Sequence, residues 1–482
     1  MLSRFKKVII PHAFIFISLI VFLAALLTYI IPAGSYERTT RVVDGIEQVV
    51  IVPGTYEQIP KNYSLRGLLI GEKVEGKASP TSFLGLFTSI PKGMNQAGAI
   101  IFFVFIIGAV FNVIQHTGTI NVVLFYLMNL FRNNQTLLYF IIFITLSTLS
   151  TFLGMGLEFI PLIPLFLFIA KQTGHDRIVG LSLYLLPFNI GWAAGITNPF
   201  NVQIAQNVAE LPLGSGFSLR FGFFLISTLL GFFLLMRYAN RIKKNKHLSY
   251  IKDDQFVIPE MPNMEKQKLE SKHILIMVVA LVLFATILYG IQTMGWGLME
   301  MSGGFFLVGL STILISGMSG EESMKVFVRG LEIMIVPALV VGFARAIQVV
   351  LSEALVVDTI LYETSHALMN LPKPAAAIGM FLFQSLMNLF IPSASGQALV
   401  SMPLMVPLAD LIGITRQTAV LAFVLGDGIS NLIVPTNGIL MAALGIAGIS
   451  YEKWFRFVLP LILILTAIAM IFMYFAVMIN YT

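Results

Sequence analysis

Apolar stretches close to the length of a membrane-spanning helix recur along almost the whole chain. Such a helix needs about 20 consecutive, mainly apolar residues. The stretches lie at about 9–31, 97–116, 218–236, 273–293, 302–317, 332–352 and 454–478. Of 482 residues, 57% are hydrophobic and only 11% are charged. A soluble core could not hide this much apolar surface, so the sequence predicts an all-α, polytopic membrane protein embedded in the lipid bilayer.

The composition also excludes several kinds of site. Cysteine is absent, which rules out disulfides, thiolate metal sites and cysteine nucleophiles. The six histidines are scattered, without a pair at metal-ligand spacing. The chain has no phosphate-binding P-loop motif, so we expect no direct use of ATP and no cofactor. The formal charge of +6 comes with basic residues gathered at the N-terminus and in one linker, which favours membrane orientation over nucleic-acid binding.

The basic residues also predict an orientation and a division of the chain. Arg4, Lys6 and Lys7 precede a retained first span, so we expect a cytoplasmic N-terminus in a bacterial cytoplasmic membrane. Residues 320–322 (GEE) are expected to form a cytoplasmic turn. The predicted divisions are the first span with an external loop that contains a small hairpin (1–81), a first module (82–237), a cytoplasmic linker (238–272), two further spans (273–318) and a second module (319–482).

Each module is predicted to contain a hairpin followed by a broken helix. The hairpin arms are shorter than the roughly 20 residues of a full span, which indicates re-entrant hairpins. The predicted arms are 137–153 and 159–172 around the tip 154–158, and 374–391 and 397–412 around the tip 392–396. The broken helices are predicted at 177–194, interrupted at 195–199, and at 416–432 with 438–448.

The two modules match at a constant offset of 239 residues. Five matched positions carry the signal: Pro164, Gly174, Arg177, Thr197 and Asn198 align with Pro403, Gly413, Arg416, Thr436 and Asn437. The first module follows one span and is therefore predicted to start outside the membrane. The second follows the cytoplasmic linker and two further spans and is predicted to start inside, so the two copies are predicted to be inverted. Inverted repeats with broken helices are typical of secondary carriers, which bind substrate near the membrane midplane.

Several short strings resemble a known family. They are residues 391–397 (IPSASGQ), 402–405 (MPLM), 407–410 (PLAD), 416–417 (RQ), 426–428 (GDG), 435–438 (PTNG) and 198–206 (NPFNVQIAQ). Together they resemble the YfcC-like branch of the DcuC (C4-dicarboxylate anaerobic carrier) family, within the ion transporter superfamily. The resemblance implies a homodimeric, elevator-type carrier whose hairpins and broken helices form the transport domain. It also implies basic amino-acid antiport, or carriage of C4-dicarboxylates as in other relatives.

The two hairpin tips supply candidate substrate ligands of opposite character. Glu158 is an intramembrane carboxylate, a residue type that commonly marks a transport site. It suits an ammonium group, a cation or a proton, although the helix dipole alone also favours an acid there. The second tip offers two hydroxyls and free backbone N–H groups for a carboxylate, although the same serines serve as ordinary helix caps. Its candidates are Ser393, Ser395, Gly396 and Gln397.

The helix breaks supply candidates for substrate or ion binding. Oxygens at Thr197, Asn198, Thr436 and Asn437 suit Na⁺, although they also suit the broken backbone itself. Asn201 and Gln206 follow the first break as weaker substrate candidates. Thr197, Thr436 and Asp427 are the candidates for coupling to Na⁺ or H⁺, with Arg345 a possible structural partner of Asp427.

One acidic and one anion-binding tip together favour a zwitterionic substrate. We therefore expect a secondary transporter of an amino acid, either a basic amino-acid antiporter or an ion-coupled carrier. A carrier of C4-dicarboxylates or other carboxylates is the first alternative, against which Glu158 argues. A membrane-embedded enzyme is a second alternative, but the chain lacks motifs such as H-E-x-x-H. A channel is a third, and the paired broken helices favour a carrier over it.

Overall fold

The computed structural model describes residues 13–43, 46–131, 134–252 and 269–482, which form helices and four short strands. The first half contains α1 (Ala13–Ile30), α2 (Leu65–Ile70), α3 (Phe83–Gln96), α4 (Gly98–His116), α5 (Thr119–Leu130), α6 (Gln135–Leu153), α7 (Ile163–Gln172), α8 (Arg177–Ala194), α9 (Val202–Val208) and α10 (Phe217–Lys244). The second half contains α11 (Ser271–Met294), α12 (Leu298–Ser316), α13 (Gly320–Ile333), α14 (Ile335–Glu353), α15 (Val357–Met369), α16 (Lys373–Phe390), α17 (Ala394–Ile412), α18 (Arg416–Ser430), α19 (Gly438–Ala447) and α20 (Tyr451–Met478).

Eight helical segments in these residues are long and apolar enough to cross a membrane. They are Gly98–His116, Gln135–Leu153, Phe217–Lys244, Ser271–Ile291, Leu298–Ser316, Gly320–Glu353, Ala394–Ile412 and Tyr451–Met478. Their outer faces carry large exposed apolar side chains such as Leu281, Leu314 and Leu463, which lipid can cover. The chain is therefore a multi-pass membrane protein. Arg4, Lys6 and Lys7, which predict its orientation, and residues 253–268 of the linker lie outside the described residues.

The predicted external loop contains more regular structure than expected. Strands β2 (Arg38–Val43) and β3 (Ile46–Ile51) form the predicted hairpin, and β1 (Ala33–Ser35) pairs antiparallel with β4 (Glu57–Ile59). This loop is the exception to the all-α fold, because its β-branched and polar residues pair as strands rather than helices. An ion pair of 3.0 Å between Arg38 Nη2 and Asp358 Oδ2 fixes the strands to α15.

The predicted turn at residues 320–322 is instead the first turn of a helix. The Ser319 side chain accepts a 3.2 Å hydrogen bond from the Glu322 backbone N–H, and Glu321 and Glu322 lie at the positive end of α13. These are helix-start signals, and the apolar residues that follow continue the helix to Ile333. The prediction was wrong because acidic residues beside an apolar run suit the first turn of a helix as well as a loop.

The hairpin arms are helical, and three of the four are nearly as long as a full span. Helices α6 and α17 have 19 residues each and α16 has 18, or about 28 Å at 1.5 Å per residue. Only α7 is short, because a 3₁₀ turn at Leu157–Leu162 precedes it and Pro161 removes a backbone donor there. Arm length therefore gives no evidence that the hairpins turn back inside the membrane.

The helices pack in two groups. The first group, which we call the arm group, consists of α1, α3, α4 and α11–α14 and contains none of the hairpin arms. In it α3 lies along α14, and α4 lies along α12 and α13. In the hairpin group (α6–α10 and α16–α20), α8 and α18 contact each other and lie along the first hairpin arms, α6 and α16. Helix α14 meets α19 where the two groups join. Small residues allow close approach: a Cβ at Gly93 on α3 would lie 2.6 Å from the Gly342 carbonyl oxygen on α14.

The order of helix lengths recurs along the chain. Helices α3 to α6 contain 14, 19, 12 and 19 residues, and α13 to α16 contain 14, 19, 13 and 18. Each series continues through a second hairpin arm and a broken helix. Each ends in a helix of 28 residues, α10 and α20.

Candidate functional site

A cavity of about 540 Å³ lies where the arm group meets the hairpin group. The hairpin group contributes both hairpin tips, the second helix break and two aromatic residues of α8, Phe188 and Trp192. The arm group contributes the α3–α4 junction, the α11–α12 turn and the cavity-facing residues Val341 and Arg345 of α14. Polar and charged side chains are thus brought together in an otherwise apolar wall, which is the general character of a small-molecule site.

Glu158 reaches the cavity from the first hairpin tip. Its side chain is only 5% exposed, and its Oε2 accepts a 2.6 Å hydrogen bond from the Gly156 backbone N–H. Tyr184 supports the tip by donating a 3.1 Å hydrogen bond to the Gly156 carbonyl. Gly156 lies against the ring of Phe188, where an added Cβ would come within 2.1 Å of Cε2. The tip therefore holds a carboxylate in a fixed position at the wall of the cavity.

The second tip is shorter than predicted, and only part of it lines the cavity. Ser393 caps α17 by accepting a 3.4 Å hydrogen bond from the Gly396 N–H, and Ser395 lies in the first turn of that helix. Both serines line the cavity. Gln397 points away and is fully buried, donating 2.8 Å hydrogen bonds to the Gln384 carbonyl and Oε1. The cavity therefore gains hydroxyls from this tip, while Gly396 and Gln397 lie behind it.

The two break threonines make equivalent contacts. Thr197 Oγ1 donates a 2.8 Å hydrogen bond to the carbonyl of Phe152, near the end of α6. Thr436 Oγ1 donates a 2.9 Å bond to the carbonyl of Leu389, near the end of α16. Each hydroxyl thus ties a broken helix to the first arm of its own hairpin. Thr436 also lines the cavity.

The asparagines at the two breaks differ in exposure to the cavity. Asn437 lines the cavity and caps α19, accepting from the backbone N–H groups of Ile439 and Leu440. Its Nδ2 donates a 2.5 Å hydrogen bond to Asn431 Oδ1, and Asn431 lines the cavity too. Asn198 is instead fully buried and accepts a 2.8 Å hydrogen bond from the Phe200 N–H. The second break therefore contributes more polar surface to the cavity than the first.

Asn201 and Gln206 also lie inside the protein rather than at the cavity. Asn201 donates a 2.9 Å hydrogen bond to the Trp192 carbonyl and caps α9. Gln206 bonds the loop that follows α9, through the Ser215 carbonyl at 2.9 Å and the Gly214 N–H at 3.1 Å. These contacts fit a role in holding the broken backbone together.

Asp427 lies behind the cavity wall, between the two broken helices. Trp192 Nε1 on α8 donates a 2.7 Å hydrogen bond to Asp427 Oδ2, and Asn431 Nδ2 donates a 3.3 Å bond to Oδ1. The suggestion that Arg345 pairs with Asp427 is wrong, since Arg345 projects from α14 into the cavity wall. Asp427 does not line the cavity itself, but both of its hydrogen-bond partners, Trp192 and Asn431, do.

Sequence reasoning missed several residues of the cavity wall. They are Gln96, Phe188, Trp192, Phe200, Trp296 and Asn431. Asn431 lay inside the predicted helix 416–432, and its place at the break became visible only because α18 ends at Ser430. The aromatic residues had no usable signal, since their position at the cavity depends on how distant helices cross. In the parts of the chain that the structure describes, no group of three or more acidic or histidine side chains could hold a metal ion.

Comparison with known proteins relates this architecture to membrane carriers. Residues 10–478 match the family C4-dicarboxylate anaerobic carrier (DcuC). An Escherichia coli (strain K12) protein described as "Putative basic amino acid antiporter YfcC" is 31% identical over 470 residues, with 92% of each chain covered. A Haemophilus influenzae protein is 26% identical over 505 residues, covering 95% of this chain and 96% of its own.

Two solved transporter structures align with nearly the full length of the chain. One is the Alcanivorax borkumensis YdaH transporter, 15% identical with a TM-score of 0.43 and covering 98% of this chain and 99% of its own. The other is Neisseria gonorrhoeae MtrF, described with a class of antimetabolite efflux pumps. It is 15% identical with a TM-score of 0.40, covering 98% of this chain and 96% of its own.

Proposed function

The chain belongs to the C4-dicarboxylate anaerobic carrier (DcuC) family, and we propose that the cavity between its two helix groups carries an amino acid across the membrane. The protein is a membrane transporter, and its family consists of carriers rather than enzymes. The observation that carries the amino-acid proposal is the buried carboxylate of Glu158 in the same cavity as the α17 N-terminus with Ser393 and Ser395. An acid on one tip suits a substrate ammonium, and a helix N-terminus on the other suits a carboxylate.

More specifically, we propose that the protein exchanges one basic amino acid for another across the membrane. The description of the E. coli relative as a basic amino acid antiporter supports it. Asp427, behind Trp192 and Asn431, offers a second carboxylate for a coupling Na⁺ or H⁺. Thr197 and Thr436, at equivalent places in the two breaks, are further candidates for coupling. No other cofactor enters the proposal.

Alternating access is proposed to come from movement of the hairpin group against the arm group. The recurring series of helix lengths and the equivalent threonine contacts support two copies of one module. Inverted copies would give the carrier two related conformations around one site. In the proposed arrangement the carrier is a homodimer in the bacterial cytoplasmic membrane, with its N-terminus in the cytoplasm.

Counterflow in proteoliposomes tests the substrate. Vesicles preloaded with unlabelled L-arginine or ornithine should take up labelled L-arginine faster than empty vesicles, because an antiporter needs an exchange partner. Varying Na⁺ and pH in the same assay identifies the coupling ion. Robust succinate uptake without arginine exchange would replace the amino-acid proposal with the dicarboxylate alternative. Uptake that shows neither saturation nor counterflow would indicate a channel.

A further inference from the structure

Arg345 is a cationic residue of the cavity wall that the proposed function does not yet use. It lies near the middle of α14, between the buried residues Ala344 and Ala346. Val341, one helical turn earlier, also lines the cavity. Residues four apart share a helix face, so this face of α14 is the one turned toward the cavity.

The described residues provide the Arg345 guanidinium with no ion pair or hydrogen-bond partner. Its Nε is buried and unpaired. Glu158 and Asp427 have other partners, namely the Gly156 N–H for the first and Trp192 with Asn431 for the second. Arg345 is partly buried, and holding an arginine away from bulk water without a partner is costly, so we expect this residue to lower rather than raise the stability of the protein on its own. A charge held under these conditions is suited to a partner that enters the cavity.

The chemistry of that partner follows from the guanidinium. Its planar fork of N–H donors matches a carboxylate in bidentate geometry better than any other common metabolite group except phosphate. The buried carboxylate of Glu158 in the same wall makes the site unsuitable for a highly charged phosphate. A ligand that carries one carboxylate and, elsewhere in its structure, one cationic group would match both Arg345 and Glu158 in the wall.

We propose that Arg345, together with the N-terminus of α17, binds the carboxylate of the transported substrate. The proposal deepens the function proposed above and rests on it only for the identity of the remaining part of the substrate. Arg345 belongs to the arm group, whereas Glu158, Ser393 and Ser395 belong to the hairpin group. The bound substrate therefore bridges the two groups, and its carboxylate is required for tight binding.

Binding to the purified full-length protein in detergent tests this role. The probes are L-arginine and L-argininamide, which differ only in the carboxylate, and the readouts are calorimetric affinity and ligand-induced thermal stabilisation. Wild-type protein should bind L-arginine at least about tenfold more tightly than L-argininamide, as expected for a charge-assisted hydrogen bond. Arg345→Gln should remove most of that difference in affinity, because it weakens the binding of L-arginine and leaves the binding of L-argininamide unchanged. Arg345→Lys should retain part of it, because the charge remains and the fork is lost.

Two controls separate this role from a structural one. Arg329→Gln changes an exposed arginine of α13 and should leave both affinities unchanged. Ligand-free Arg345→Gln should unfold at the same temperature as wild type or higher, because it removes an unpaired, partly buried charge. Wild-type affinity for L-arginine in Arg345→Gln would overturn the proposal, as would equal weakening of both probes.

The same design distinguishes failure of this proposal from failure of the amino-acid function. If wild-type protein binds succinate but not L-arginine, the amino-acid proposal fails. Arg345→Gln should then weaken the binding of succinate at least about tenfold, which would uphold the role of Arg345 as a carboxylate ligand. Unchanged succinate affinity would overturn it. Absence of binding to either carboxylate at millimolar concentration in wild-type protein would overturn both proposals.

Discussion

Two residues of opposite charge define the chemistry of the cavity. Glu158 is held at the first tip by the Gly156 N–H, and Arg345 projects from α14 without a partner among the described residues. The sequence was sufficient to single out Glu158, because an acid between two apolar stretches is conspicuous. It was insufficient to place Arg345, since which face of α14 meets the hairpin group depends on tertiary packing.

Neutralising Glu158 tests its proposed role as the ligand of a substrate ammonium group. Glu158→Gln should lower the initial rate of L-arginine uptake into proteoliposomes at least about tenfold, because a charge-assisted contact is lost. The fold should survive, since the amide oxygen can still accept from the Gly156 N–H. Glu353→Gln, which removes an exposed carboxylate paired with Lys92 at 2.7 Å, is the matched control and should transport normally. Unimpaired uptake by Glu158→Gln would remove that residue from the site.

The helix breaks were the most predictable elements of this fold. Gly195 ends α8 in the left-handed conformation with φ of 46°, and the threonine and asparagine that follow satisfy the interrupted backbone. Their positions follow from local sequence alone. Their exposure does not: Asn437 reaches the cavity and Asn198 does not, because the two breaks face different neighbours.

Element boundaries were predictable to within a few residues where apolar runs end at glycine, proline or charge. The exceptions have local causes. Helix α13 was not predicted because its acidic first turn resembles a polar loop, and α10 continues to Lys244, into the predicted linker. The pairing of β1 with β4 was missed because their three-residue strands are too short to show an alternating pattern.

The crossing of the two broken helices depends on Gly428. A Cβ at this position would lie 2.2 Å from the Ala193 Cα, so α8 and α18 are in backbone contact there. Gly428→Val should cost about 1–3 kcal/mol through overpacking and lower the melting temperature of the detergent-purified protein. Gly303→Val is the control, because nothing lies within 4 Å of its Cβ, and it should melt at or above the wild-type temperature. Equal melting temperatures for both variants would refute the close crossing.

At the scale of the molecule, the position of the cavity is the feature that relates structure to transport. It lies between two helix groups rather than within either, so a substrate bound there would contact both. Occupancy can then bias any movement of one group against the other by its difference in affinity between the two arrangements. The family membership, the recurring helix series and this position together support a carrier with a single alternating site.

The most direct test of the account is substrate protection of a cavity thiol. Because the chain contains no cysteine, Ser395→Cys introduces a single reactive group at the cavity wall. Substrate should slow its labelling by a maleimide reagent, with half-maximal protection at the concentration that half-saturates transport. Ser352→Cys, on an exposed position of α14 away from the cavity, should be labelled at the same rate with or without substrate. Unprotected labelling of Ser395→Cys at saturating concentrations of a transported substrate would contradict the assignment of this cavity as the transport site.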